Sequence, residues 1–116
     1  MTGAVSYHAG LAAEQQVAQI YERSGKVICA HRWRGTAGEI DLIARDGDKV
    51  IFIEVKHSST HARAAEHLSA RQIARIYQTA AEFLENEPLG QLTEVQLDAA
   101  LVDGQGIIHI LENFAA

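Results

Sequence analysis

Two short segments, Gly38-Glu39-Ile40-Asp41-Leu42-Ile43 and Ile53-Glu54-Val55-Lys56, interleave carboxylates and one lysine with aliphatic residues. Acids and an ammonium group gathered on one surface suit metal-dependent hydrolysis of a phosphodiester. That reaction requires an activated water, neutralisation of the charge that develops on the phosphoryl oxygens, and stabilisation of the leaving alkoxide. Mg²⁺ or Mn²⁺ can supply most of this, and because such a hard cation keeps several waters, two or three carboxylates suffice to hold it. Asp41 and Glu54 are the candidate ligands. Lys56, two residues beyond Glu54, would lie near the attacking water, where its charge orients or helps deprotonate that water and stabilises the transition state.

The elements that carry these groups follow from alternation, since successive side chains of a strand point to opposite faces. Ile40, Leu42 and Ala44 form one face of a first strand and Glu39 and Asp41 the other; Ile51, Ile53 and Val55 oppose Phe52, Glu54 and Lys56 on a second. Asp46-Gly47 between them predicts a two-residue hairpin turn. Counting outward from that turn pairs Arg45 with Asp48, Asp41 with Phe52 and Glu39 with Glu54, so Glu39, Asp41, Glu54 and Lys56 converge on one side. A slip of one residue would drive unpaired carboxylates into the core, which their desolvation cost opposes.

The remaining pattern predicts an α/β domain of order αβββαββ over residues 1–116, a central mixed sheet flanked by helices. The first helix spans residues 8–23 and stops at Ser24-Gly25. Its apolar stripe is Ala13, Val17, Ile20 and Tyr21, with Glu14 on or beside it, able to reach solvent, an arginine or the site. Residues 26–34 read as a strand in which Cys29 is a small core residue. There Arg32 and Arg34 share a face around Trp33, a pattern that could grip phosphates and stack on a base, or let Trp33 fill the core's edge. Residues 35–38 form a turn, and residues 57–62 read as a loop. A capping box of Ser69 and Gln72 opens a second helix that runs up to Pro88, with Ile73, Ile76, Tyr77, Ala80 and Leu84 in helical period. Arg71 and Arg75, one turn apart near its start, offer cations to an anionic strand. Residues 95–102 and 107–111 complete the sheet.

The net charge of −5 argues against generic nucleic-acid binding, but its distribution softens the objection. All ten Lys and Arg residues lie between Arg23 and Arg75, whereas residues 76–116 hold seven acids and no base. A single cysteine excludes an internal disulfide, and the short, charge-interrupted apolar runs give neither a membrane span nor a secretory signal, so a cytoplasmic protein is expected. No phosphate-cradling glycine loop, serine elbow or dinucleotide fingerprint is present.

Asp41, twelve intervening residues and then Glu54-Val55-Lys56 resemble the PD-(D/E)XK motif of restriction-endonuclease-like nucleases, with Ile40 in place of the proline. More of the chain resembles the YraN-like family of small bacterial proteins, which are similar to archaeal Holliday junction resolvases. The resemblance rests on Gly10 and Glu14, the stretch from Gly38 to Ala44, Phe52-Ile53-Glu54-Val55-Lys56, Arg71 and Arg75, and His109-Ile110-Leu111-Glu112-Asn113-Phe114. Ser58 stands where that family usually places an arginine. The resemblance implies a restriction-endonuclease-like core, Glu14 with Asp41, Glu54 and Lys56 as active positions, and Glu14 as a third metal ligand. Accessory candidates are Glu39 and Gln72. The implied activity is Mg²⁺- or Mn²⁺-dependent cleavage of DNA, branched DNA included, by a homodimer; a noncatalytic binding module on the same fold is the alternative.

Overall fold

Gly25, with φ at +89°, gives the left-handed turn that ends the first helix, and a five-stranded sheet follows from there. The computed structural model describes residues 3–115, with side chains from residue 12 onward. The elements are α1 (Gly3–Arg23), β1 (Val27–Arg34), β2 (Glu39–Asp46), β3 (Lys49–His57), α2 (His61–Glu66), α3 (Ala70–Leu84), a 3-10 turn at Gly90–Leu92, β4 (Val95–Val102) and β5 (Ile108–Leu111). The strands lie in the order β1-β2-β3-β4-β5. Only β3 and β4 run parallel. The parallel step needs a long crossover, which α2 and α3 supply.

Both faces of the sheet are covered. Val17, Ala18 and Tyr21 of α1 pack on Leu42, Ala44, Ile51, Ile53 and Ala100. Ile76, Ala80 and Leu84 of α3 pack on Ile43, Val50, Phe52 and Leu97 on the other side, and Ala64 of α2 adds Ala99 and Leu101. β3 is therefore buried on both faces, which is why residues 50–53 read as an unbroken apolar run. Asp98 of β4 is buried among these elements and fully engaged. It accepts from the Tyr21 hydroxyl at 2.6 Å, the Gln96 amide at 2.8 Å and the Asn113 N–H at 2.9 Å, joining α1, β4 and the carboxy-terminal segment. Among the described residues no helix is long and apolar enough to cross a membrane.

Several expectations are corrected. α1 begins at Gly3, five residues earlier than the apolar stripe suggested, and β1 begins at Val27. The hairpin turn is Gly47-Asp48, because Asp46 pairs with Lys49 and Gly47 takes the positive φ of +62°. Cys29 is exposed, not core, since the register of β1 slips between Ile28 and Ala30 and leaves it as the extra residue of a β-bulge. His61 and Ala62, read as the end of a loop, instead open α2, which the Thr60 side chain starts by accepting from the Arg63 N–H. α3 ends at Leu84, Tyr77 on it is exposed, and β5 starts at Ile108 rather than Ile107. The order is thus αβββααββ with a 3-10 turn before β4.

Candidate active site

The site forms where β2 and β3 stop pairing. Leu42 with Ile53 is the last rung of their ladder, and in the same register Asp41 falls beside Glu54, not Phe52 as the expected turn implied, while Glu39 lies beyond the ladder rather than opposite Glu54. Instead of a backbone rung, the Asp41 carboxylate accepts the Val55 N–H at 2.8 Å. Strict alternation also breaks here. Leu42 and Ala44 face α1, whereas Ile40 packs on the α3 side with Ile43. Across on β1, Arg32 has a φ of +49°, and the rungs on either side of it place it opposite Asp41. A left-handed backbone at a non-glycine residue is strained by about 1–2 kcal/mol. The left-handed residue of β1 and the end of the β2–β3 ladder thus meet at Asp41.

Glu54 lies deeper, 3% exposed. Its Oε2 stands 3.8 Å from Lys56 Nζ, and its Oε1 is buried without any hydrogen-bond partner. Burial, then the Asp41 charge, push the Glu54 carboxyl up to about 8, against the pull of Lys56 and Arg75. Burial also raises Asp41, helped by the charges of Glu14 and Glu39 and opposed by the Val55 N–H and Lys56. The Asp41 charge thus raises Glu54, and Lys56, 3.8 Å from Glu54 Oε2, opposes the rise at both carboxyls without reversing it. An unpartnered buried carboxylate oxygen is costly. Its presence here fits a hard divalent cation held by Asp41 and Glu54, with waters completing the shell.

Lys56 is oriented from α3. With its amide oxygen toward the cations, Gln72 accepts from Lys56 Nζ at 2.5 Å and from the Arg75 guanidinium at 3.3 Å, while its amide nitrogen donates to the His67 carbonyl at 3.0 Å. The capping box is therefore one-sided: the Ser69 hydroxyl accepts the Gln72 N–H at 3.2 Å, but the Gln72 side chain serves the site. Arg75 leans over Gly38, where a Cβ would come within 2.9 Å of Arg75 Cδ. Arg71 is exposed and, with Ser69, Gln72 and Arg75, lines a shallow cleft of about 150 Å³.

Not every expected site residue reaches the centre as a free group. Glu14 feels Asp41 electrostatically, yet both its oxygens accept from Arg32, at 3.0 Å from Nε and 3.4 Å from the terminal nitrogen. Among the described residues no three His, Cys, Asp or Glu side chains stand close enough to hold a metal ion as they are placed. Arg34 bonds Glu39 at 3.0 Å on the exposed rim. Trp33 packs edge-on against Phe83, with ring centres 5.4 Å apart, so it fills the core's edge.

Glu82 is the residue that sequence reasoning missed. Its carboxylate accepts from the Thr36 N–H at 2.8 Å, the Thr36 hydroxyl at 2.6 Å and the Ala37 N–H at 3.1 Å, fixing the turn that leads into β2. A signal existed. Gln72, Arg75, Thr79 and Glu82 recur at helical spacing, a polar stripe beside the apolar one, and a polar stripe running next to a buried face implies partners on the neighbouring element.

Fold and site together define an α/β protein in which a five-stranded mixed sheet carries a buried glutamate, a half-buried aspartate and a lysine where two strands part. The chain belongs to the uncharacterised protein family UPF0102, whose family model matches residues 13–102. It is 63% identical, over the full length of both chains, to a UPF0102 protein of Cereibacter sphaeroides strain ATCC 17025. A UPF0102 protein of Ruegeria pomeroyi is 56% identical across 96% of this chain and 90% of its own, and one of Roseobacter denitrificans is 50% identical across 96% and 86%.

Proposed function

We propose that this protein is a Mg²⁺- or Mn²⁺-dependent DNA endonuclease of the cytoplasm, built on a restriction-endonuclease-like core and acting on branched or otherwise irregular DNA. The observation that carries the reading is half-buried Asp41 beside buried Glu54, with Lys56 next to them and Glu54 Oε1 left without a partner. Asp41 and Glu54 would hold the cation, and Glu14, whose charge acts on Asp41 but whose oxygens accept from Arg32, is the third candidate. When bound, it would supply the activated water and neutralise charge on the phosphoryl oxygens. The protein's own groups do the rest. Gln72 fixes the Lys56 ammonium, which then faces the water and the developing negative charge without rotamer searching. Arg75 adds a second positive charge on the same side, close enough to lower the Glu54 carboxyl's affinity for its proton. Arg71 and the start of α3 extend that positive rim toward the phosphate backbone.

The test is cleavage of end-labelled single-stranded, duplex, flap and four-way-junction DNA with Mg²⁺ or Mn²⁺, comparing the wild type with Asp41→Ala and Lys56→Met. Metal-dependent cleavage lost by at least about 100-fold in both variants supports the reading, given the usual size of a positioned acid–base contribution. Absence of cleavage of every substrate by folded protein refutes it in favour of a noncatalytic binding module. Symmetric cutting of a junction requires two sites, so a homodimer is expected, and a strict monomer by size-exclusion chromatography with DNA bound would exclude that assembly.

A further inference from the structure

We propose that Arg32 is a built-in competitor for the metal site: it clamps Glu14 away from Asp41 and Glu54, and a divalent cation must displace it to recruit Glu14 as a ligand. The inference rests on the metal-dependent reading given above. Three observations lead to it. Glu14 lies near enough to raise the Asp41 carboxyl, yet its two oxygens are both taken by the Arg32 guanidinium. The pair is only partly buried, with side-chain exposure of 34% for Arg32 and 12% for Glu14, so water can take over the guanidinium's hydrogen bonds when the pair opens. Arg32 also holds a left-handed backbone at φ +49°, opposite Asp41, so the clamp sits on a strained residue directly across from the site.

The electrostatic logic is an exchange of positive charges. Once ionised, as a bound cation would make them, Asp41, Glu54 and Glu14 together carry more negative charge than Lys56 alone offsets, and Arg32 neutralises Glu14. A divalent cation between Asp41 and Glu54 would attract Glu14 more strongly than a singly charged guanidinium does, and the carboxylate would change partners. Two roles read from the sequence then become successive and no longer exclude one another: Glu14 as a metal ligand, and Arg32 as a phosphate contact.

The experiment is Mn²⁺ titration of the full chain without DNA, with free Mn²⁺ followed by electron paramagnetic resonance, for the wild type, Arg32→Gln, Glu14→Gln and the double variant. Arg32→Gln is expected to tighten Mn²⁺ binding by roughly three- to tenfold, the penalty of opening a forked, partly exposed ion pair. In the Glu14→Gln background the same change is expected to do little, because no clamp remains to be opened. Equal tightening in both backgrounds would show simple charge repulsion and overturn the proposal, as would unchanged binding by Arg32→Gln, and either result leaves the metal site itself standing. Failure of all four proteins to bind Mn²⁺ overturns the clamp and the metal-dependent reading together. Arg32→Gly, which tolerates the left-handed backbone, is read by the same criteria if the Gln variant does not fold. Loss of the fold in both would make the pair a structural strut and overturn the proposal.

Discussion

Glu54 is almost wholly enclosed, with one oxygen unpaired, so its ionised form destabilises the metal-free fold. Its carboxyl is raised from 4.5 to about 8. Below about pH 4.5 it is protonated both folded and unfolded, and its favourable contribution is complete. Between there and about 8 the folded chain keeps a proton that the unfolded chain releases, so stability falls as pH rises and the contribution is lost through the folded value. Glu54→Gln keeps the shape and removes the titration. Thermal melts of metal-free protein should therefore show the variant more stable than the wild type near pH 9, by on the order of 2 kcal/mol, and nearly equal to it near pH 4. A variant less stable than the wild type at both pH values would mean that the Glu54 charge is satisfied by its protein neighbours alone. The same carboxylate that weakens the empty fold is the one a cation would stabilise, a trade of stability for function frequent at sites.

At the scale of elements, the site depends on α3 holding the turn between β1 and β2. Glu82 does so through three donors of Thr36 and Ala37, which hold its carboxyl below the ordinary range, the Thr36 hydroxyl most of all. Because that value is lowered, the contribution is present above the unfolded value of 4.5 and is lost as pH falls through the folded one. Glu82→Gln should speed amide hydrogen exchange at Thr36 and Ala37 while leaving Ile51 and Phe52 of central β3 protected, as NMR would show. Uniform loss of protection would place Glu82 in the core's stability and not in this turn. Such a long-range tie was hidden from the sequence, which shows local period but not which polar stripe meets which loop. The hairpin shows the other side. Its turn lies one residue further on than Asp46-Gly47 suggested, which moves the register by two and keeps the paired residues from Leu42 to Ile53 on their expected faces. Only beyond the ladder does Ile40 change sides, and Asp41, Glu54 and Lys56 still converge. A bulge does not preserve parity, which is why Cys29 was misplaced. α2 escaped notice because only Ala64 in it is buried, leaving no apolar period to read.

At the scale of the whole molecule, Tyr21 and Glu14 lie seven residues apart on α1, two turns along one face, so the Tyr21–Asp98 hydrogen bond that pins α1 to β4 also sets where Glu14 meets the site. Charge is arranged with the same polarity as this scaffold. Every Lys and Arg lies between Arg23 and Arg75, and the seven acids after Ile76 make the carboxy-terminal part repel a phosphate backbone. On the proposed reading, DNA would dock on the side where Arg34, Arg71 and Arg75 are exposed. If those three each neutralise one phosphate, the logarithm of the affinity for duplex DNA should fall with the logarithm of salt concentration at a slope of about −2.7. Binding measured by fluorescence anisotropy in Ca²⁺, chosen to limit turnover, should show that slope, reduced by about 1 in Arg71→Ala and again in Arg75→Ala. A basic protein gripping DNA along a broad face would give a much steeper dependence. A slope near zero, or one unchanged by both substitutions, would mean that nucleic acid does not dock across the start of α3, and the carboxylate pair would then need a substrate smaller than a DNA strand.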